Sequence, residues 1–173
     1  MVEVERYASG RNLETTFVII DSKSIKNTDT AESKGYDAGK KVSGIKLHMA
    51  VDILGLPHAI HMTKANVTDR NGAIEMVLLN LDNLVKVQNM LFDSGYSGEN
   101  FANAIKQIHG SSVEVVKKSD FGEFQVIPKR WIVERTFAWS EKNRRLWKNC
   151  ERKLHTSMQM TVLALLTLIL KRF

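Results

Sequence analysis

The order of the short apolar segments is the feature that most restricts the fold of this chain. Three strand-like runs come first, at 15–20, 45–53 and 58–63, and a Leu-Gly-Leu-Pro turn between the last two favours an antiparallel hairpin. Helical spacing then alternates with two shorter strand-like runs, at 90–92 and 113–116. A meander followed by crossovers predicts an α/β fold, with a mixed five-stranded sheet flanked by helices.

Helical segments are predicted in four places. Helix-start residues at 66–70 precede apolar residues at helical spacing, and a second helix is expected at 99–108. The segment 131–149 contains neither Gly nor Pro, so one long helix is predicted there, followed by a last apolar helix at 157–171. The polar, Gly-containing stretch 30–44 is predicted to be a loop.

Length and composition indicate a single globular domain in a reducing compartment. The 173 residues include 43% hydrophobic and 25% charged residues, which is ordinary for a folded protein. A single cysteine excludes an intramolecular disulfide. The N-terminus lacks an apolar signal-peptide core, and the longest apolar run, 158–170, is too short to span a bilayer. We therefore expect a cytoplasmic protein with no membrane partner.

The surplus of positive charge lies in one segment of the chain. Nine Lys and Arg residues occur against three Glu between Lys129 and Lys153, a surplus equal to the formal net charge of +6 of the whole protein. A concentrated basic patch attracts phosphate backbones by counterion release, so nucleic acid is the leading class of partner. The alternative is a solvated helix face that binds nothing.

Two aspartates directly follow predicted strands. Asp21 comes after the run 15–20, and Asp93 comes after 90–92. Functional groups collect at the carboxyl ends of strands in open α/β sheets, so these carboxylates converge if the two strands are neighbours. Mg²⁺ prefers oxygen ligands, and two such ions can activate the attacking oxygen and stabilise the leaving oxygen of a phosphodiester displacement.

Glu134 is the natural third ligand of such a site. A helix that crosses the sheet edge can direct one side chain toward the strand ends. At spacings of four, eight and eleven from Glu134 the sequence has Arg130, Lys142 and Arg145, which predicts a basic stripe around the glutamate.

A purely structural explanation of the three acids stays open at this point. Asp21 would cap a turn, and Asp93 would start the Ser-Gly-Tyr turn that follows it. Glu134 would balance the charges of Arg130 and Arg135.

Seven phrases, in order along the chain, resemble one known family. They are Asp-Ser-Lys-Ser-Ile-Lys (21–26), Gly-Tyr-Asp-Ala-Gly-Lys-Lys-Val-Ser-Gly (35–44), Val-Asp-Ile-Leu-Gly-Leu (51–56), Asn-Val-Thr-Asp-Arg-Asn-Gly-Ala (66–73), Asp-Ser-Gly-Tyr-Ser-Gly (93–98), Pro-Lys-Arg-Trp-Ile-Val-Glu-Arg-Thr-Phe-Ala-Trp (128–139) and Asn-Arg-Arg-Leu (143–146). The chain resembles bacterial insertion-sequence transposases of the DDE class, of the insertion-sequence-four/five type, over residues 19–172.

This resemblance implies an RNase H-like fold and a set of site residues. The catalytic, metal-binding triad of the family maps onto Asp21, Asp93 and Glu134, which would hold two Mg²⁺ or Mn²⁺ ions. Arg130 and Lys142 would flank the glutamate in a signature that contacts phosphates of the donor end. The residues expected to contact DNA are Arg130, Arg135, Lys142, Arg144, Arg145, Lys40 and Lys41.

The implied function is metal-dependent cleavage of transposon ends and strand transfer into target DNA, by a homodimer associated with the bacterial nucleoid. Residues 15–173 would form the catalytic domain after a short extension, 1–14. Family members usually carry a further N-terminal region that recognises terminal repeats, which we expect to be absent here. Another departure is apolar Ile45 and Leu47, where relatives often carry basic residues.

Two alternatives accompany this prediction. The chain would be a truncated, non-catalytic DNA-binding regulator of a full-length transposase, or it would be another RNase H-like nuclease. The first would bind DNA without cleaving it, and the second would lack strand-transfer activity.

Several other residues of chemical interest have simpler explanations. Asp52 is expected at a strand-end turn and Asp69 at a helix N-cap. His58 and His61 differ by an odd number along a strand, so they point to opposite faces and form no metal pair. Three tryptophans recur every eight residues, which predicts that they seat the long helix on the core. They are Trp131, Trp139 and Trp147.

Overall fold

A computed structural model describes residues 1–116 and 129–171, which form one mixed sheet with helices on both faces. Residues 117–128 and 172–173 of the predicted catalytic domain lie outside the described part of the chain. The strands are β1 (Phe17–Lys26), β2 (Gly35–Asp37), β3 (Val42–Val51), β4 (Pro57–Lys64), β5 (Asn89–Phe92) and β6 (Ser112–Val115).

Strand β1 lies between β3 and β5. It pairs antiparallel with β3 from Ile19↔Val51 to Lys26↔Gly44, whereas its parallel pairing with β5 ends at Ile19↔Leu91. β6 pairs parallel with β5, and β4 pairs antiparallel with β3. The predicted hairpin and the mixed character of the sheet are therefore confirmed.

The described residues contain six strands, so the prediction of five was wrong by one. The extra strand is β2, which lies in the stretch 30–44 predicted as a loop and pairs with the start of β3. Asp37 closes the turn after β2 by accepting hydrogen bonds from the Lys40 backbone N–H at 3.1 Å and the Ser24 hydroxyl at 2.7 Å. This strand depends on side-chain contacts with a neighbouring strand, which apolar periodicity does not reveal.

Helices cover both faces of the sheet. They are α1 (Val2–Ala8), α2 (Asp69–Leu79), α3 (Glu99–His109), α4 (Arg130–Glu141) and α5 (Leu154–Leu170), with single 3₁₀ turns at Leu81–Asn83, Ser94–Tyr96 and Arg144–Leu146. The helices predicted after 66–70 and at 99–108 are confirmed. Within 1–116 and 129–171, no helix is long and apolar enough to cross a membrane.

The predicted helix 131–149 ends early, at Glu141. Asn143 is extended, with ψ of 110°, and the chain then turns back toward the sheet. The Asn149 N–H donates to Lys26 O at 3.0 Å, and the Thr28 N–H donates to Asn149 O at 2.9 Å. These bonds to the end of β1 replace helical hydrogen bonds, so tertiary pairing overrides local helix propensity here.

Alternate side chains of β1 enter two separate cores. Val18 and Ile20 pack in a cluster with residues of α2 and α3, whereas Ile19 and Ile25 pack with residues of α4 and α5. Asp21 has the same parity as Ile19, so its side chain lies on the α4 face of the sheet. The alternation of β1 thus determines which helix can reach the aspartate.

The prediction that the tryptophans seat α4 on the core is wrong for Trp131 and Trp147. Trp131 is 48% exposed, and Trp147, which lies beyond the end of α4, is 71% exposed. The buried side of α4 is a stripe at helical spacing. It consists of Ile132, Val133, Thr136, Phe137 and Ser140.

Helix α1 is joined to the sheet by a buried ion pair between Arg6 and Asp52. Asp52 is fully buried and also accepts hydrogen bonds from the backbone N–H groups of Leu54 and Leu56, at 2.9 and 3.0 Å. Burial alone would raise the pKa of Asp52, but hydrogen bonds from His58, Leu56 and Arg6 hold it below its usual range. Asp52 therefore has the predicted strand-end turn position.

We expect Arg6→Ala to lower the free energy of unfolding by about 3 kcal/mol, because removal of one partner leaves a buried carboxylate undercompensated. Urea denaturation at neutral pH measures the change. Arg11→Ala, at an exposed position on the same segment, is the matched control and should be neutral within about 0.5 kcal/mol. Equal stabilities of the two variants would contradict the anchoring role of Arg6.

Candidate active site

Asp21 and Asp93 lie side by side because β1 and β5 are parallel neighbours. The last pair of their ladder is Ile19↔Leu91, and each aspartate follows two residues later. The prediction that Asp21 lies at the end of its strand was wrong, because β1 continues to Lys26 along β3. It lies instead where β5 ends, and this opens the sheet beside it.

Each aspartate has one oxygen engaged locally and the other facing Arg130. Oδ1 of Asp21 accepts a hydrogen bond from the Ser22 N–H at 2.7 Å, and Oδ1 of Asp93 accepts one from the Gly95 N–H at 2.9 Å. Asp93 thus also starts the Ser-Gly-Tyr turn. Both Oδ2 atoms remain available to a cation.

Arg130 contacts all three predicted acids. Its Nη2 lies 3.3 Å from Oδ2 of Asp93 and 3.8 Å from Oδ2 of Asp21, and its Nε lies 3.2 Å from Oε1 of Glu134. Arg130 begins α4 directly after Lys129, whose φ of 72° turns the chain into the helix. Glu134 follows one turn later on the same side. The structure therefore groups the three acids around one guanidinium.

Burial raises the pKa of Asp21 from its ordinary value to about 6. The Ser22 N–H and the charge of Arg130 favour the ionised form, the neighbouring charge of Asp93 opposes it, and Lys40 favours it. The raised pKa therefore comes chiefly from removal of the Asp21 carboxylate from water, and a divalent cation beside it would favour the ionised form.

The donor chemistry of these residues fits a divalent cation. All three supply carboxylate oxygens, the ligands that Mg²⁺ and Mn²⁺ prefer. In the present side-chain arrangement, no three His, Cys, Asp or Glu residues of the described ranges are grouped closely enough to hold a metal ion. Arg130 faces the three carboxylates instead.

A charged network that the sequence did not predict lies on the opposite face of β1. The Lys40 ammonium donates to the Ser22 carbonyl and hydroxyl at 3.2 and 3.3 Å and pairs with Asp69 at 3.5 Å. Lys46, which is nearly fully buried, pairs with Asp69 at 2.7 Å and Asp37 at 3.2 Å. The sequence feature that could have revealed this network is Lys46, which lies within an otherwise apolar predicted strand. Lys40, predicted to contact DNA, thus has protein partners beside Asp21.

Arg135 is held between two aromatic rings. Its guanidinium lies 4.6 Å from the centre of the Trp131 ring and 4.5 Å from that of Trp139, and it donates to Leu54 O at 3.3 Å. These contacts link α4 to the turn between β3 and β4. They give a structural reason for a residue predicted to contact phosphate.

The predicted basic stripe along the long helix is wrong beyond Glu141, because α4 ends there. Lys142 is the C-terminal cap residue, and Arg144 and Arg145 lie in the following 3₁₀ turn, where Arg145 pairs with Glu151 at 3.1 Å. Lys142 and Arg144 are exposed. Lys41, also exposed, follows β2 with a φ of 53°.

Other residues set aside in the sequence have structural partners. His58 contacts Asp52 at 3.3 Å and His61 contacts Glu75 at 3.2 Å, so the two histidines form no pair, as predicted. His48 is fully buried, and burial lowers its pKa to about 3. The N-cap of α2 is Thr68, so the prediction of Asp69 at this position was wrong by one residue.

Two solved structures are similar to the chain in fold. A chain in the cryo-EM structure of the simian T-cell lymphotropic virus intasome in complex with PP2A regulatory subunit B56 gamma has a TM-score of 0.56 at 16% identity, and the match covers 89% of this chain and 48% of that one. The catalytic core domain of BIV integrase has a TM-score of 0.52 at 14% identity, over 88% and 82% of the two chains. The chain thus spans about half the length of the first relative, and the likeness shows an RNase H-like fold.

A family model described as Transposase DDE domain matches residues 12–170, so the chain belongs to the DDE transposase family. A search of curated proteins finds no match. The family acts on DNA and generally uses divalent metal ions. The resemblance inferred from the seven sequence phrases and the predicted RNase H-like fold are therefore confirmed.

We expect Asp21→Asn to raise the free energy of unfolding at pH 7 by about 2 kcal/mol. The pKa of about 6 lies above the ordinary value of 3.8, so the folded state binds the proton more tightly than the unfolded state. The wild-type protein should therefore lose stability as the pH rises from about 4 to about 6. The variant lacks this decline.

Urea denaturation across this pH range measures both effects. Asp29→Asn removes an exposed carboxylate and should keep the decline seen in the wild type. The same pH dependence in Asp21→Asn and the wild type would show that Asp21 is not strained by burial.

Proposed function

We propose that the chain is the catalytic domain of an insertion-sequence transposase, with Asp21, Asp93 and Glu134 as its metal-binding acids. The observation that carries the proposal is the convergence of these carboxylates, from β1, the end of β5 and α4, on a single guanidinium. Asp21 and Asp93 come from different strands and face the same guanidinium, which the turns after them do not require. Membership of the DDE transposase family supports the same assignment.

The reaction we propose has two in-line displacements at phosphorus. Water attacks a phosphodiester at the transposon end, the bond to the 3′ oxygen breaks, and a free 3′-hydroxyl results. That hydroxyl then attacks a phosphodiester of target DNA, which exchanges one P–O bond for another and releases a target 3′-hydroxyl. When bound, two Mg²⁺ or Mn²⁺ ions would activate the attacking oxygen and stabilise the leaving oxygen.

The protein residues position the reacting groups. The backbone hydrogen bonds that the Oδ1 atoms of Asp21 and Asp93 accept restrict the directions in which their Oδ2 atoms point. Glu134 is half-exposed at the outer side of the site and closes it from α4. Because all three are acceptors when ionised, they would exclude DNA phosphate unless cations neutralise them.

We propose that basic residues around this site hold DNA through its phosphates rather than read its bases. Arg130 lies nearest the acids, and Lys142 and Arg144 are exposed beyond the end of α4. Contacts of this kind fix the register of a duplex and depend strongly on salt. The remaining residues proposed for this surface are Lys40, Lys41, Arg135 and Arg145.

We further propose a homodimer that brings two transposon ends together on the bacterial nucleoid, in the cytoplasm. Helix α5 exposes Leu163, Leu166 and Leu170, spaced three and four residues apart, and is the candidate interface. Sedimentation equilibrium with end-containing DNA measures the assembly. A single copy of the chain on paired ends would contradict this part of the proposal.

Residues 15–173 form the proposed catalytic domain and 1–14 its extension.

Cleavage of DNA tests the assignment of the acids. The wild-type chain with Mg²⁺ or Mn²⁺ should nick duplex DNA, and Asp93→Asn should lower the rate at least about 100-fold, because a metal ligand is lost. Asp82→Asn, at an exposed position on a surface turn, is the control and should retain the wild-type rate. Equal rates for Asp93→Asn and the wild type would remove Asp93 from the site.

The same assay separates the alternatives. Metal-dependent cleavage without joining of a pre-cut end to target DNA would favour another RNase H-like nuclease. DNA binding by the wild type without cleavage would favour the regulatory role.

Salt dependence tests the phosphate contacts. We expect Arg144→Gln and Lys142→Gln each to weaken duplex binding and to reduce the slope of log K against log salt by about 1, because each removes one phosphate contact. Lys106→Gln on α3 is an exposed control that should leave the slope unchanged. Fluorescence anisotropy at several salt concentrations gives the slopes. Unchanged slopes in both test variants would place the DNA elsewhere.

A further inference from the structure

We propose that Arg130 is an internal counter-ion that occupies the cation position of the three acids in the DNA-free protein and couples metal binding to DNA binding. The proposal rests on the proposed function of the acids. Without DNA, the guanidinium competes with divalent cations for the same oxygens. A DNA phosphate that draws the guanidinium away frees those oxygens for metal.

The charges around the site support this exchange. Asp21, Asp93 and Glu134 carry three negative charges when ionised, and in residues 1–116 and 129–171 their ion-pair partner is Arg130. Lys40, the other cation whose charge acts on Asp21, is bonded instead to Ser22 and Asp69. Arg130 is therefore the group whose position decides how much negative charge the acids present.

The contacts of Arg130 with the three acids are long for charge-assisted hydrogen bonds. They measure 3.2 to 3.8 Å, whereas charge-assisted hydrogen bonds are about 2.7–2.9 Å long. Its Nε is buried but makes no aligned hydrogen bond with the described residues. The guanidinium is thus attracted by charge without being fixed by directional bonds, and a cation of higher charge can replace it.

The two cations cannot occupy the site together. A Mg²⁺ ion coordinates carboxylate oxygen at about 2.1 Å, so it would lie within a few ångströms of a guanidinium that contacts the same Oδ2 atoms. Their repulsion makes the two states mutually exclusive in a partly buried site. Metal binding therefore requires Arg130 to move.

Arg130 is well placed to move toward DNA. Its side chain is 29% exposed and lies at the first residue of α4, where Lys129 supplies no side-chain cap. A guanidinium matches the geometry of a phosphate and binds it with two parallel hydrogen bonds. A phosphate at this helix terminus would also face backbone N–H groups. DNA thus offers the guanidinium better hydrogen bonds than the three acids do.

Reciprocal coupling is the thermodynamic consequence. If DNA raises the affinity for metal by some factor, metal raises the affinity for DNA by the same factor. Metal would then bind mainly when a substrate is present, and the free protein would keep its acids neutralised by its own side chain.

Titration of Mn²⁺ into the full chain tests this inference, with affinity followed by the electron paramagnetic resonance signal of free Mn²⁺. Without DNA, Arg130→Gln should bind Mn²⁺ about tenfold more tightly than the wild type, because the competing charge is gone. Arg130→Lys keeps the charge and should remain close to the wild type. Arg152→Gln removes an exposed guanidinium that pairs with Glu32 and should have no effect.

The titration is repeated with a short DNA duplex, after subtraction of Mn²⁺ bound by the duplex alone. Wild-type affinity for Mn²⁺ should rise about tenfold on addition of DNA, and that of Arg130→Gln should rise less than about twofold. No tightening by DNA in the wild type would overturn the inference, even if Arg130→Gln does not fold. Tightening of equal size in the wild type and Arg130→Gln would overturn it as well.

Asp93→Asn in the same titration separates the two proposals. Loss of Mn²⁺ binding in Asp93→Asn, with Arg130→Gln no tighter than the wild type, would reject the counter-ion and keep the metal site. Unchanged Mn²⁺ binding in Asp93→Asn would reject the metal site itself. Thermal unfolding of each variant confirms that the compared proteins are folded.

Discussion

The position of β1 between an antiparallel and a parallel neighbour is the constraint on which the rest of the structure depends. On one side, β3 pairs with β1 to its end at Lys26, and on the other side the ladder with β5 ends at Ile19↔Leu91, two residues before Asp21 and Asp93. This mismatch in length leaves Asp21 inside a regular strand yet beside an opening in the sheet. A strand is more rigid than a loop, so one carboxylate of the site is held by the ladder itself.

The same arrangement lowers the stability of the folded protein at neutral pH, because it buries the carboxylate of Asp21. Asp21 is largely buried beside Asp93, and its raised pKa shows that the fold disfavours its charge. Proteins accept such strain where function requires it, and other interactions offset it. Here Asp52 pairs with Arg6, and Asp37 and Asp69 share Lys46, with Lys40 as a second cation for Asp69. The three acids of the site share one.

Different parts of the fold were predictable to different degrees, for physical reasons. Strands β3, β4 and β5 and helix α3 follow from apolar periodicity, which reports burial directly. Strand β2 did not follow, because it is held by hydrogen bonds of Asp37 to Ser24 and the Lys40 backbone. Helix α4 was predicted too long, because the bonds of Asn149 to the end of β1 compete with helical bonds and involve residues more than a hundred positions apart.

The candidate site shows the same division. Asp21 and Asp93 were selected by their places after predicted strands, Glu134 by its place on a predicted helix, and all three by family phrases. The structure groups them around one cation. Helical spacing predicted a basic stripe through Lys142 and Arg145. That prediction was wrong, because α4 ends at Glu141, before both residues. Arg135 has the same charge as Arg130, but lies between two tryptophan rings. Charge type is visible in a sequence, whereas the direction of a side chain depends on where its helix ends.

The sequence by itself determined the class of fold, the family and the residue types of the site, since these depend on local patterns and on motifs that are read along the chain. Only the tertiary structure decided which charges meet. Arg130 reaches Asp21 and Asp93 because α4 crosses the sheet where β5 ends, and Lys40 turns inward because β2 folds back onto β3. Such meetings depend on distances between elements that are remote in sequence, and electrostatic interactions change steeply with those distances.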